Sequence, residues 1–159
     1  MSFSPQSRVW IYQSDRKFTS TEETEILNML SIFTSQWKAH GNELLAKAEI
    51  RYGFFIMITV DEAQANVTGC SIDSSVRIIK EIEQNFNVDL FNRFNIAYKI
   101  DNEVIVNGKE DFETLVNIKK VTPETIVFNN MVQNLADLNS KWEVPFKNSW
   151  HSTVFAHLL

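Results

Sequence analysis

The chain holds one cysteine, three prolines and four glycines in 159 residues. A single thiol cannot close an internal disulfide, which excludes a disulfide-stapled secreted scaffold and fits a reducing compartment. So few prolines and glycines, with no low-complexity tract, exclude a disordered or collagen-like chain. Basic charge is also scarce. Fifteen Lys and Arg stand against twenty Asp and Glu, for a net charge of −5 and a pI near 5.2. That balance argues against nucleic acid or an anionic membrane as partner. The longest apolar run, Phe54 to Ile58, is far too short to cross a bilayer. Met1 to Gln6 lack the basic and apolar regions of a signal peptide. The expectation is a soluble, cytoplasmic protein.

What is present is core-forming material. Hydrophobic residues make up 44% of the chain and twelve of them are Phe, enough to fill the core of one domain at this length. Arg8 to Gln13 reads as a strand. Ser20 and Glu23 stand at capping-box spacing. Ile26, Leu30, Phe33 and Trp37 then recur at helical spacing up to Gly41, which predicts a helix from about Thr21 to Ala39. Ala46 to Arg51 and Phe54 to Val60 read as strands joined at Tyr52-Gly53. A polar loop, Asp61 to Gly69, leads to a helix with Ser71 as its N-cap and Ile72, Val76, Ile79, Ile82 and Phe86 on one face. Arg93 to Ile100 and Val104 to Asn107 follow as strands around an Asp101-Asn102 turn.

That order, β-α-β-β-α-β, predicts an α+β fold whose first hundred residues form a ferredoxin-like core, with residues 101–159 as an α/β extension of the same domain. The extension reads as a helix near Lys109 to Lys119, with Phe112, Leu115 and Val116 inward. A strand at Thr125 to Phe128 and an irregular, aromatic tail follow it.

The stretch from Gly69 to Arg77 is the most informative for chemistry. Cys70 sits where a strand hands over to a helix, and unpaired backbone N–H groups there favour a thiolate or an anion. The functional reading is a nucleophile or redox-sensitive thiol; the bland one is a small buried side chain. In a ferredoxin-like arrangement His40 and the loop carrying Asp61 fall on the same side as Cys70. This makes Cys70, His40 and Asp61 the candidate catalytic set. Against it stands His40 as a plain helix C-cap. Ser71, Asp73, Ser74, Ser75 and Glu62 are candidate ligand-binding residues around the same helix start, with simple capping as their alternative. Asp15-Arg16 and Asn92-Arg93 could clamp a carboxylate or phosphate, or form surface ion pairs. His151 and His157 are six apart and no second cysteine exists, so no metal and no cofactor are expected. Trp142, Phe146, Trp150 and Phe155 offer either a peptide groove or dimer contact, or core anchors.

Several motifs together resemble a family of small bacterial proteins often labelled "ABC transporter ATPase". They are Val9-Trp10-Ile11-Tyr12-Gln13 with Asp15-Arg16, Gln36-Trp37 with His40-Gly41, and Val60-Asp61-Glu62. The cysteine stretch, Thr125-Ile126-Val127-Phe128-Asn129-Asn130, Trp142-Glu143-Val144-Pro145 and Ser149-Trp150-His151 complete the set. The resemblance runs nearly end to end. The ATPase that the label implies fails a direct test. A P-loop needs two glycines five apart followed by Lys and Ser or Thr, whereas the glycines stand at 41, 53, 69 and 108, and Gly108-Lys109 runs into Glu110. The leading expectation is therefore a binding or accessory module acting on a small molecule or a protein, with homodimerisation included. The alternative is a cysteine-dependent enzyme or thiol sensor using Cys70, His40 and Asp61.

Overall fold

The β-formers of the first segment build strand β1 (Arg8–Gln13), which pairs antiparallel with β5 (Phe55–Asp61), Val9 opposite Thr59 and Tyr12 opposite Ile56. In this computed structural model, which describes residues 3–158, the start of the Met1 to Gln6 segment lies outside the described residues. Strand β4 (Leu45–Arg51) pairs with the other side of β5, giving the order β1-β5-β4. The β4–β5 turn is the expected one, with Tyr52 and Gly53 both at positive φ, 57° and 71°. Every residue of β5 is buried, which explains why its sequence is a continuous apolar run and not an alternating one.

Helix α1 (Ser20–Gln36) buries Ile26 and Leu30, and helix α2 (Gly69–Phe86) buries Ile79 and Ile82. These four join Ile56, Ile58 and Val60 of β5 in one cluster, so both helices cover the same face of the sheet. The capping box of α1 lies one residue earlier than the Ser20 spacing predicts. Thr19 is the N-cap and Glu22 its N3 partner. Glu22 is selected because it also grips the Arg16 guanidinium at 2.8 and 2.7 Å, and Arg16 in turn donates to the Phe86 carbonyl at the end of α2. This guanidinium and the Thr19 amide hold the Glu22 carboxyl at a pKa of about 2.

Two expectations about the first hundred residues need correction. Helix α1 does not run to Ala39. It stops at Gln36, because Trp37 adopts extended backbone angles. A small hairpin follows, β2 (Lys38–Ala39) and β3 (Asn42–Glu43), turning on His40 and Gly41 at φ 52° and 80°. His40 is therefore a turn residue and not a helix cap, and both its positive φ and that of Gly41 suit a two-residue hairpin turn.

The second correction concerns the expected fourth strand of a ferredoxin-like sheet, Arg93 to Ile100. It starts at Asn95 as β6 (Asn95–Ile100) and does not pair with β1. Its tight Asp101-Asn102 turn, both residues at positive φ, commits it to β7 (Glu103–Gly108). The open side of β1 is taken instead by residues 133–135. The Val9 amide donates to the Gln133 carbonyl at 3.0 Å and the Leu135 amide to the Ser7 carbonyl at 2.9 Å.

The chain is thus mixed α/β, with several antiparallel sheets. It divides into two compact units, residues 3–91 with 133–136, and residues 92–132 with 137–158. The boundary near residue 92, and not 100, follows from the commitment of β6. In the second unit the sheet order is β7-β6-β8-β9, with β8 (Ile126–Phe128) and β9 (Glu143–Pro145). Helix α3 (Lys109–Asn117) lays Phe112 and Val116 onto Ile96, Tyr98 and Val127. Helices α4 (Leu135–Lys141) and α5 (Trp150–Val154) follow in the tail. Of the tail aromatics, Trp142, Phe146 and Phe155 are fully buried. Phe146 and Phe155 belong to this core, and only Trp150 is exposed. Among the described residues no helix is long and apolar enough to cross a membrane.

His151 is buried beside the Ser149 hydroxyl, and burial pulls its pKa from 6.5 down to about 4. An unfolded chain binds this proton below pH 6.5, whereas the folded one resists it until about pH 4. Stability should therefore fall as pH drops from 6.5 to 4, by about 3 kcal/mol, and lose nothing further from this group below that. Denaturant unfolding of wild type and His151→Gln across this window checks it. The variant should be flatter between these two pH values.

Candidate functional site

The hairpin β2–β3 and the first turn of α2 frame a shallow, open depression of about 430 Å³, lined by Lys38, His40, Thr68, Gly69, Cys70, Ser71 and Ser74. The hairpin is fixed there by one bond. The Trp37 indole N–H donates to the Ser71 carbonyl at 2.8 Å. The Trp37 ring packs at 5.0 Å from Phe33 and 6.3 Å from Trp10, so the residue that ends α1 also positions Lys38 and His40.

Helix α2 begins with a second capping box. Thr68 is the N-cap and Ser71 the N3 residue. The Ser71 hydroxyl accepts from the Thr68 amide at 2.7 Å and donates to the Thr68 carbonyl at 2.9 Å, while Thr68 Oγ1 accepts from the Ser71 amide. Ser71 is therefore N3, not the expected N-cap, and its hydroxyl is already saturated. The amides of Gly69 and Cys70, the first two of the helix, have no partner among the described residues. A helix leaves its leading amides unpaired, so these two are free to receive a ligand. A Cβ placed on Gly69 would meet nothing within 4 Å, so the first turn is uncrowded on its side-chain side.

The structure brings Cys70 and His40 to one depression, as the sequence argument expected, and Cys70 is exposed. The bland reading of a buried thiol is set aside by that exposure. Asp61 is not among the lining residues. Its carboxylate accepts from the Ser4 amide at 3.0 Å and the Ala63 amide at 2.9 Å, and these bonds lower its pKa. It closes the loop after β5 and does not orient His40. Glu62 likewise accepts from the Val67 amide at 3.0 Å, with Arg8 at 3.9 Å.

Of the remaining candidates, Ser74 lines the depression and donates to the Cys70 carbonyl at 3.1 Å. Ser75 is buried and donates to the Ile72 carbonyl. Asp73 is exposed and lies outside the lining. Arg16 is committed to Glu22 and Phe86, and Arg93 belongs to the other unit.

Compared with protein-family models, with curated proteins and with solved structures, the chain matches none. The chemistry of the depression must be read from its own residues. Among the described residues no three of His, Cys, Asp and Glu converge as a metal set. The lining instead supplies one ammonium, one imidazole, one thiol, hydroxyls and two free amides, with no carboxylate. Sequence reasoning missed Lys38 and Thr68. Thr68-x-x-Ser71 repeats the capping spacing that marks a helix start and was legible. Lys38 carried no signal, because its position depends on a hairpin that only the burial of Trp37 creates.

Two outcomes test this geometry. Cys70 in the native protein should react with iodoacetamide nearly as fast as in denaturant. The ratio of iodoacetate to iodoacetamide rates should be higher than in the denatured chain, reflecting the local positive potential. Trp37→Phe keeps the ring but removes the bond to Ser71, and should cost about 1 kcal/mol in unfolding free energy. It should also bring that rate ratio back toward the denatured value as the hairpin loosens.

Proposed function

We propose that the protein is a cytoplasmic binding or accessory module that receives a small anionic group, a carboxylate or phosphate on a small molecule or protein, in the depression at the start of α2. The observation that carries this reading is the composition of the lining. A chain of net charge −5 gathers Lys38, His40 and two unpaired helix amides around one concavity without a carboxylate. Helix amino ends hold anions through just such amides and the partial positive charge of the helix. The missing P-loop glycines leave no support for ATP hydrolysis, so the resemblance to the family labelled as ATPases is taken here for kinship alone. The run β1-α1-β4-β5-α2, with strand order β1-β5-β4, supports reading the first unit as a ferredoxin-like variant in which residues 133–135 stand where a fourth strand would.

A second reading is favoured by one specific observation, the exposure of Cys70 on the surface that also bears His40. A thiol sensor or cysteine-dependent enzyme would use that pair. It lacks a carboxylate to orient the imidazole, since Asp61 is held by Ser4 and Ala63, and so it ranks second.

Titration with inorganic phosphate and with acetate, followed by amide NMR, separates the two. The binding reading expects saturable shifts at Gly69 and Cys70 that Lys38→Glu weakens at least several-fold and Cys70→Ser leaves in place. No shift at those amides, with Cys70 alkylated far faster than in the denatured chain, would transfer the site to the thiol reading. Mg-ATP should give no more thermal stabilisation than phosphate does.

A further inference from the structure

Every sheet edge presents unpaired main-chain donors and acceptors that a second strand can use, and folded proteins blunt such edges with charge, proline, shortness or a covering segment. Among the described residues, three of the four edges of the two larger sheets are blunted. The β1 edge is covered by residues 133–135. The β4 edge carries Lys47, Glu49 and Arg51 at alternate positions, with Glu49 and Arg51 paired to each other. The β9 edge is three residues long and ends in Pro145.

Past Glu103 at its start, the β7 edge has none of these devices. Its six residues read Glu103-Val104-Ile105-Val106-Asn107-Gly108, with a neutral and mostly β-branched centre. All six are in register with β6 on one side. On the other, the backbone bond that reaches β7 among the described residues is the one its Gly108 carbonyl, as N-cap of α3, accepts from the helix. The two-residue turn at Asp101-Asn102 fixes which groups are left over. It makes Ile100 and Glu103 a hydrogen-bonded pair, and alternation along an antiparallel ladder then points the N–H and C=O of Val104 and Val106, and the N–H of Gly108, outward.

We propose that this edge is a self-association surface, on which β7 of a second copy of the chain adds antiparallel across a two-fold axis through Val106. In that register the outward groups of Val106 meet their own counterparts, and the Gly108 N–H donates to the Val104 carbonyl of the second copy. Glu103 then falls opposite Lys109, the first residue of α3, whose exposed ammonium lies 3.9 Å from Glu113 one turn on, so the charges at the two ends of the paired strands are complementary. Gly108 has open space where a side chain would stand, which leaves room for Val104 of the second copy. A parallel pairing would set Glu103 against Glu103 and is disfavoured for that reason. The isologous interface joins two four-stranded sheets into one continuous sheet.

Sedimentation equilibrium over a concentration series, with hydrogen exchange, tests the proposal. The chain should dimerise, and the Val104, Val106 and Gly108 amides should gain protection in the dimer. Val106→Pro removes an outward N–H without touching the β6 ladder and should weaken dimerisation about tenfold or more. Glu103→Lys and Lys109→Glu should each weaken it, and the two together should restore it in low salt. The charge pair keeps the test decisive if the proline variant fails to fold. A chain monomeric throughout the series overturns the proposal. So does a dimer indifferent to both sets of variants, or one whose Val104, Val106 and Gly108 amides exchange as in the monomer.

Discussion

The bond from the Trp37 indole to the Ser71 carbonyl is the constraint on which the candidate site depends. A buried indole needs a partner for its N–H, and Trp37 finds it in the Ser71 carbonyl. Helix α1 ends at Gln36, Trp37 turns into extended geometry, and its ring settles against Phe33 and Trp10. The chain that follows has only Lys38 to Glu43 in which to reverse, and His40-Gly41 supplies the turn. One unsatisfied donor thus ends a helix, starts a hairpin and carries an ammonium and an imidazole to the first turn of α2. The same bond loads the Ser71 carbonyl from outside the helix, which fixes the rotation of α2 about its axis and hence the direction in which Cys70 faces.

The division of labour among the hydroxyls and carboxylates follows from that rotation. With Ser71 turned inward, its hydroxyl is consumed by Thr68, and Ser75, one turn on, is consumed by the Ile72 carbonyl. Cys70 and Ser74 lie on the neighbouring flank of the helix and stay accessible. Acidic residues nearby are spent on loop closure, Asp61 on Ser4 and Ala63, and Glu62 on Val67. The depression acquires its positive character less by gathering many cations than by having its neighbouring carboxylates tied down elsewhere.

Local features were legible in the sequence and long-range pairings were not. The hairpins at Tyr52-Gly53 and Asp101-Asn102, the buried strand from Phe55 and the two amphipathic helices all follow from patterns within a few residues. The meeting of His40 with Cys70 was also reachable, because the order β1-β5-β4 sets both at one end of the unit. The helix starts moved by one to three residues, since Thr19 and Thr68 outcompete the serines for the cap once Glu22 has Arg16 to hold and Ser71 has Trp37. Whether β6 would join β1 could not be read locally. A strand's partner depends on which edge is already occupied, and the occupant of β1's edge lies more than a hundred residues downstream.

That occupant also explains how the first unit manages with three strands. Residues 133–135 satisfy Val9 and Ser7 in the main chain, and the Ala136 amide adds a bond to the Pro5 carbonyl. A segment recruited from so far along the chain carries a closure cost that grows only with the logarithm of the loop length, and much of that cost disappears once the intervening residues fold on a core of their own. The second unit, with Phe112, Phe146 and Phe155 packed together, is such a core. Its folding shortens the effective loop between Phe91 and Gln133, so the covered edge of β1 depends energetically on a core that lies in another part of the sequence. An otherwise open strand, Arg8–Gln13, is in this way protected without charge or proline within it beyond Arg8, and the β-rich V-W-I-Y run can be kept for packing rather than given up to edge protection.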